Sequence, residues 1–150
     1  MQLLRFAAMI LIVLCVGLLV HGQTSNDDVI ATLASYYDAI NARDYQRAYN
    51  LWESPPSSFE QFAKGFADTS HVRILVDPSA RVEGAAGSVF ADVSTIVVAS
   101  TRNGAERVFT GCYVMRRSNV EDRGWHIYRA NISVAPSNTK VSRLLSQVCK

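Results

Sequence analysis

The apolar residues of this chain change their spacing once, near residue 70, and that change restricts the fold to helices first and sheet afterwards. Before it, Val29, Ile30, Leu33, Tyr36 or Tyr37, and Ile40 recur every three or four positions, as one face of an α-helix requires. After it, Val72, Ile74 and Val76 recur every second position, the period of a strand. Helices and strands segregated along a chain give an α+β architecture, whereas alternating βαβ units would build a parallel sheet.

The element boundaries follow from local chemistry. Asn26 or Ser25 can cap the first helix, whose opening turn holds Asp27 and Asp28, and the periodicity carries it to about Ala42. Asp44 caps a short second helix with Tyr45, Ala48, Tyr49 and Trp52 on neighbouring turns, and Pro55-Pro56 stop it. Ser57 and Glu60 have capping-box spacing and open a third helix bearing Phe59, Phe62, Ala63 and Phe66. Then come strands at Val72–Val76, Arg81–Glu83, Ser88–Thr101, Glu106–Arg117 and Trp125–Ala135. Arg102-Asn103-Gly104 forms a hairpin turn between the two long ones. The expected product is three helices packed on an antiparallel sheet of four to five strands.

The longest strand is apolar on both sides, with Val89, Ala91, Val93, Val97 and Ala99 on one face and Phe90, Ile96 and Val98 on the other. A sheet with one wet face alternates more cleanly. A cover over the second face is therefore expected, either a second copy in a homodimer or the carboxy-terminal tail. In that tail, residues 136–150, Val141, Leu144, Leu145 and Val148 lie at helical spacing ahead of Cys149.

Residues 1–22 read as an export signal, with Arg5 before an apolar run from Phe6 to Val20 and cleavage expected before Gln23. The run falls short of the ~20 residues a membrane span needs, so no stable span is expected after cleavage. A retained anchor is one rival reading. A lipoprotein signal at Cys15 is another, and the bulk of Leu14 argues against it. Cleavage leaves 128 residues, enough for one domain (23–135) plus the tail. Its 14 basic and 13 acidic residues nearly cancel and do not cluster, which excludes a nucleic-acid interface; Arg116-Arg117 reads as a solvated strand end. In a periplasmic or extracellular protein the remaining pair, Cys112 and Cys149, reads as a disulfide, the alternative being one buried and one free thiol.

Two segments carry a resemblance. Tyr37-Asp38-Ala39-Ile40-Asn41-Ala42-Arg43-Asp44-Tyr45, where one helix turns into the next, and Gly124-Trp125-His126-Ile127-Tyr128, which looks like a closing strand, resemble the nuclear transport factor 2-like superfamily. Phe109-Thr110-Gly111-Cys112-Tyr113-Val114 with Arg116-Arg117 is similar to exported bacterial members of unassigned function. The resemblance implies a cone, in which a strongly curved sheet closes over the helices. Its ketosteroid-isomerase-like members use a carboxylate base after the second helix, where this chain has Glu53-Ser54-Pro55-Pro56. Its dehydratase-like members need a histidine near an aspartate and tyrosines. Fold alone does not choose among such functions.

The candidate ligand contacts are Tyr37, Tyr49, Trp52, Tyr128 and Arg129. Aromatics at helical spacing serve equally as core, and Arg129 equally in a cross-strand ion pair, with Asp92 as the carboxylate that answers either Arg107 or Arg129. His126 shares an expected strand face with Tyr128, Ala130 and Ile132; if that face lines an interior, the imidazole can shuttle protons. His126, Tyr37 and Asp38 form the set an acid–base enzyme would use. His71 reads as a loop residue before the first strand. The histidines lack a Cys or carboxylate at ligand spacing, and no phosphate-binding loop or nucleophile elbow is present, so neither metal nor cofactor is expected. The leading expectation is a non-enzymatic exported domain that binds a small apolar ligand or a protein partner. An isomerase or dehydratase and a cell-envelope or secretion-apparatus module are the alternatives.

Overall fold

In the computed structural model, which describes residues 24–121, 123–136, 140–147 and 149, helix α1 (Thr24–Asn41) lays its apolar stripe across a five-stranded antiparallel sheet. Val29, Leu33, Tyr36, Tyr37 and Ile40 are all buried, so the three-to-four spacing reads out directly as the packed face. The expected cleavage site, Cys15 and Val148 lie outside the described residues.

α2 (Tyr45–Asn50) opens where the Asp44 carboxylate accepts the N–H of Arg47, as the capping signal predicts. It ends before Trp52 and well before the prolines. The reason is tertiary: Ile127 donates to the Leu51 carbonyl (2.8 Å) and Glu53 donates to the Ile127 carbonyl (3.0 Å), so Leu51–Glu53 leaves the helix to border the last strand. α3 (Phe59–Gly65) is capped by Ser58, one residue beyond the expected Ser57, through Gln61 N–H.

The strands are β1 (Thr69–Val76), β2 (Arg81–Ala85), β3 (Ser88–Thr101), β4 (Glu106–Ser118) and β5 (His126–Val134). β3 is central; β1 and β2 lie in succession along one of its edges, β4 along the other, and β5 borders β4. Because β1 starts at Thr69, His71 is a strand residue opposite Ser100 and is exposed; it is not in a preceding loop. The sheet is not closed.

β3 sets the two faces. Its inner face, Val89, Ala91, Val93, Val97 and Ala99, packs on the helices with Tyr113, Met115 and Ile127. Its outer face carries Phe90, Ile96 and Val98. Ile96 is only 2% exposed, and what lies over that face is the tail helix α4 (Val141–Gln147), packed on β3 and β4. A disulfide between Cys112 and Cys149 fastens it. The tail thus covers part of the second face.

Candidate ligand-binding site

Between α1 and the inner face lies a cavity of about 330 Å³. It opens to the surface where the exposed Gly65 and Asp68 border it, and its volume is many times the roughly 30 Å³ share of one liquid water. Its walls are apolar: Val72, Val97, Ala99, Phe109 and Ile132 from the sheet and Phe66 from the end of α3. Asp68, Thr69, Thr101 and Arg107 also line it.

Two phenols form its polar end. Tyr37 comes from the buried stripe of α1, and Tyr113 stands on the inner face of β4 opposite Val93. Their hydroxyls hydrogen-bond at 2.5 Å, and the rings meet edge to face. Only one of the two hydroxyl protons is used between them. The other is free for an acceptor.

Burial sets the charge state of this pair. It pushes Tyr113 up to about 12, despite an opposing contribution from the Tyr37 hydrogen bond. Burial, and then the neighbouring Tyr113, hold Tyr37 well above the usual phenol range. Tyr36 beside them is raised for the same two reasons, offset in part by Trp52. All three phenols therefore stay neutral at physiological pH, which makes them hydrogen-bond partners and not general bases.

The other expected contacts fall elsewhere. Tyr49 spends its hydroxyl on the Ser57 carbonyl (3.0 Å) and its ring on Phe59 and Phe62, a structural role. Trp52 packs edge to face on Tyr36 and does not line the cavity. Tyr128 is 45% exposed and rests against Phe90 on the outer face, and Arg129, opposite Val114, is also exposed. Asp38 lies on the exposed side of α1.

His126 is displaced by a bulge. The register of β5 shifts between Val114 and Met115, so Ile127, Ala130 and Ile132 pair with inner-face residues of β4 while His126 pairs with Arg116. The expected shared face of His126, Ala130 and Ile132 does not exist. His126 instead borders a polar surface hollow with Trp52, Glu53, Arg116, Glu121 and Arg123. There Glu53 forms an ion pair with Arg116, whose guanidinium also donates to Ser88 Oγ and lies over Phe90. Arg117 takes the opposite face, over Trp125, so the two arginines are not one solvated pair. Asp92 has no ion-pair partner among the described residues; Arg107, opposite Ala99, is on the other face of the sheet.

Sequence reasoning did not single out Tyr113, Phe109 or Ile132 as site residues. The usable signal was register: with Val93 and Val97 assigned inward, the 102–104 hairpin places Tyr113 and Phe109 opposite them. No group of three or more His, Cys, Asp or Glu that could hold a metal occurs among the described residues, nor does a helix long and apolar enough to cross a membrane.

No family model matches the sequence, and no curated protein does. Solved structures do match the fold. A nuclear transport factor 2-like superfamily protein from Salmonella enterica serovar Typhimurium superposes with a TM-score of 0.54 at 18% identity, over 77% of this chain and 94% of that one. The chain carries the nuclear transport factor 2-like fold. A candidate scytalone dehydratase of Novosphingobium aromaticivorans (TM-score 0.56, 7% identity, 77% and 87% covered) shares this nuclear transport factor 2-like fold. So does a ketosteroid isomerase-like protein of Erwinia carotovora atroseptica (TM-score 0.53, 13% identity, 77% and 100% covered). Identities this low speak to the fold alone.

Proposed function

We propose that this protein is an exported, non-enzymatic binding domain for a small apolar molecule carrying one hydrogen-bond acceptor. The observation that carries the reading is the cavity itself: apolar walls ending on the Tyr37–Tyr113 pair, with one phenolic proton to spare. Its volume is at the small end of the range for ligand sites, which are mostly apolar with a few placed polar groups. Export rests on the apolar amino-terminal run and on a disulfide that an oxidising compartment would maintain.

An acid–base enzyme has less support. Proton transfer needs a group of suitable pKa within hydrogen-bonding reach of the reacting atom. Among the described residues lining the cavity there is no histidine, and its one carboxylate, Asp68, belongs to an exposed residue. The names carried by the dehydratase- and isomerase-like structures describe those proteins.

The test is displacement of a neutral apolar fluorophore by a panel of small ketones and phenols, alongside native mass spectrometry of the freshly purified protein. Val97→Phe fills the cavity and should abolish binding while leaving the fold intact. Saturable binding unaffected by Val97→Phe would place the ligand elsewhere and defeat the proposal.

A further inference from the structure

The tail beyond β5 is a strap fixed at two ends. At one end Ala135 donates its N–H to the Val108 carbonyl (2.9 Å). At the other, Cys149 is bonded to Cys112, which stands on the outer face of β4 opposite Ser94. Between these points the strap holds itself on weakly. The hydrogen bonds of Lys140 to Ser146 run within the tail, namely Arg143 and Leu144 to Lys140 and Ser146 to Arg143. Among the described residues neither a hydrogen bond nor an ion pair joins α4 to the sheet. What remains is apolar contact, in a groove that Leu144 and Val141 line together with Ile96, Val98, Leu75 and Val108.

That contact is modest. Leu144 and Leu145 are half-buried, and Val141 is 51% exposed. A seven-residue helix is far below the roughly 12–15 residues at which an isolated helix becomes even marginal in water. By contrast, β5 has its own hold on β4. The β4–β5 ladder runs unaided from Phe109 opposite Val134 to Arg116 opposite His126, and so holds β5 in place with or without the disulfide.

We propose that α4 is a redox-released cover over the outer face of the sheet, and that the Cys112–Cys149 bond is its latch. Both cysteines are half-buried, within reach of a small dithiol. A thiolate of the dithiol attacks one protein sulfur, the other leaves as a thiolate, and a mixed disulfide forms. The second thiol of the reductant, as its thiolate, then attacks the first, which breaks the mixed disulfide and expels the remaining protein sulfur as a thiolate. Two electrons have passed to the protein, which is left with two cysteine thiols, and the reductant departs as its own disulfide. Helix α4 is freed from the sheet. Ile96, now almost fully covered, joins Leu75 and Val108, already 46% and 39% exposed, in one open apolar surface, while the cavity on the inner face keeps its shape.

The experiment is native-state hydrogen exchange on the mature full-length chain, oxidised and after treatment with dithiothreitol, with Cys149→Ser as a reductant-free counterpart. Reduction should raise exchange over 141–147 by about tenfold or more while the β3 and β4 amides keep their protection, as for a local opening unit. Binding of anilinonaphthalenesulfonate should rise in parallel. Unchanged protection in 141–147 would show that packing alone holds the helix, and the proposal would fail. Loss of β3 and β4 protection in the same step would equally overturn it, by making the bond a global staple. Should Cys149→Ser fail to fold, reduction of the already folded wild type still decides between these outcomes.

Discussion

Removing one hydroxyl of the Tyr37–Tyr113 pair should cost more than removing both. In Tyr113→Phe, the hydroxyl of Tyr37, a residue 6% exposed, loses its only partner among the described residues, and leaving a buried polar group unpaired costs about 1–3 kcal/mol. Tyr37→Phe strands Tyr113 in the same way. The double variant removes donor and acceptor together and leaves two rings of nearly the same shape, a change that is close to neutral. Two single losses of about 1–2 kcal/mol each should therefore collapse to about 0–1 kcal/mol in the double variant, a coupling of about 1–4 kcal/mol. Such non-additivity is what residues in direct contact show. Urea unfolding followed by circular dichroism gives the midpoints, and a constant slope confirms that the unfolded state is unchanged. Additive effects would mean that the two hydroxyls do not answer each other, and the polar end of the cavity would have been assigned wrongly.

The same phenols make stability pH-dependent at the alkaline end. A group bound more tightly to its proton in the folded state contributes stability that is present below its unfolded pKa, near 10, and is lost as pH rises towards about 12 for Tyr113. Urea midpoints measured from pH 8 upward should be level and then fall above pH 10, and the Tyr37→Phe/Tyr113→Phe double variant should flatten that fall. Asn41→Ala should cost roughly 2–4 kcal/mol. Its amide donates to the Val72 carbonyl (2.9 Å) and accepts the Val72 N–H (2.7 Å), and Val72 is buried; chemical denaturation and exchange of the Val72 amide both report it. Gly111→Ala should destabilise by about 3 kcal/mol. An added methyl would overlap the Asn131 carbonyl oxygen and lie 2.7 Å from Cα of Ile132, which is backbone that can yield only by parting β4 from β5; the melting temperature measures it.

What could be read before the structure was known is what depends on neighbours in sequence. The stripe from Val29 to Ile40 and the two faces of β3 are periodicities; burial follows the helical stripe closely, whereas in β3 the tail cover buries outer-face Ile96 as well as its inner-face neighbours. Even the cover over the outer face was legible as a surplus of apolar residues at Phe90, Ile96 and Val98, with the tail as one of two candidates. The site was less legible because its parts meet only through register. Tyr37 and Tyr113 are 76 positions apart, and nothing near Tyr113 marks it as different from a core tyrosine. His126 failed for the opposite reason. Strict alternation puts it with Ala130 and Ile132, and one extra residue opposite the Val114–Met115 step sends it to the other side. Trp52 ends a helical pattern in sequence, yet the pull of Ile127 on Leu51 and Glu53 ends the helix sooner. There a hydrogen-bonded pairing with a distant strand outweighed a local preference.

Asn41 reaches sideways to Val72 at one margin of the sheet, and Leu51 and Glu53 grip Ile127 at the other. Both are positions where a bare strand would offer its backbone to a stranger, the first step of runaway strand-on-strand growth. An incoming chain could not run unbroken along β1 or β5 without first evicting these residents. The molecule is in this way guarded against fibre formation at two of its margins by four hydrogen bonds, none of which involves a charged side chain.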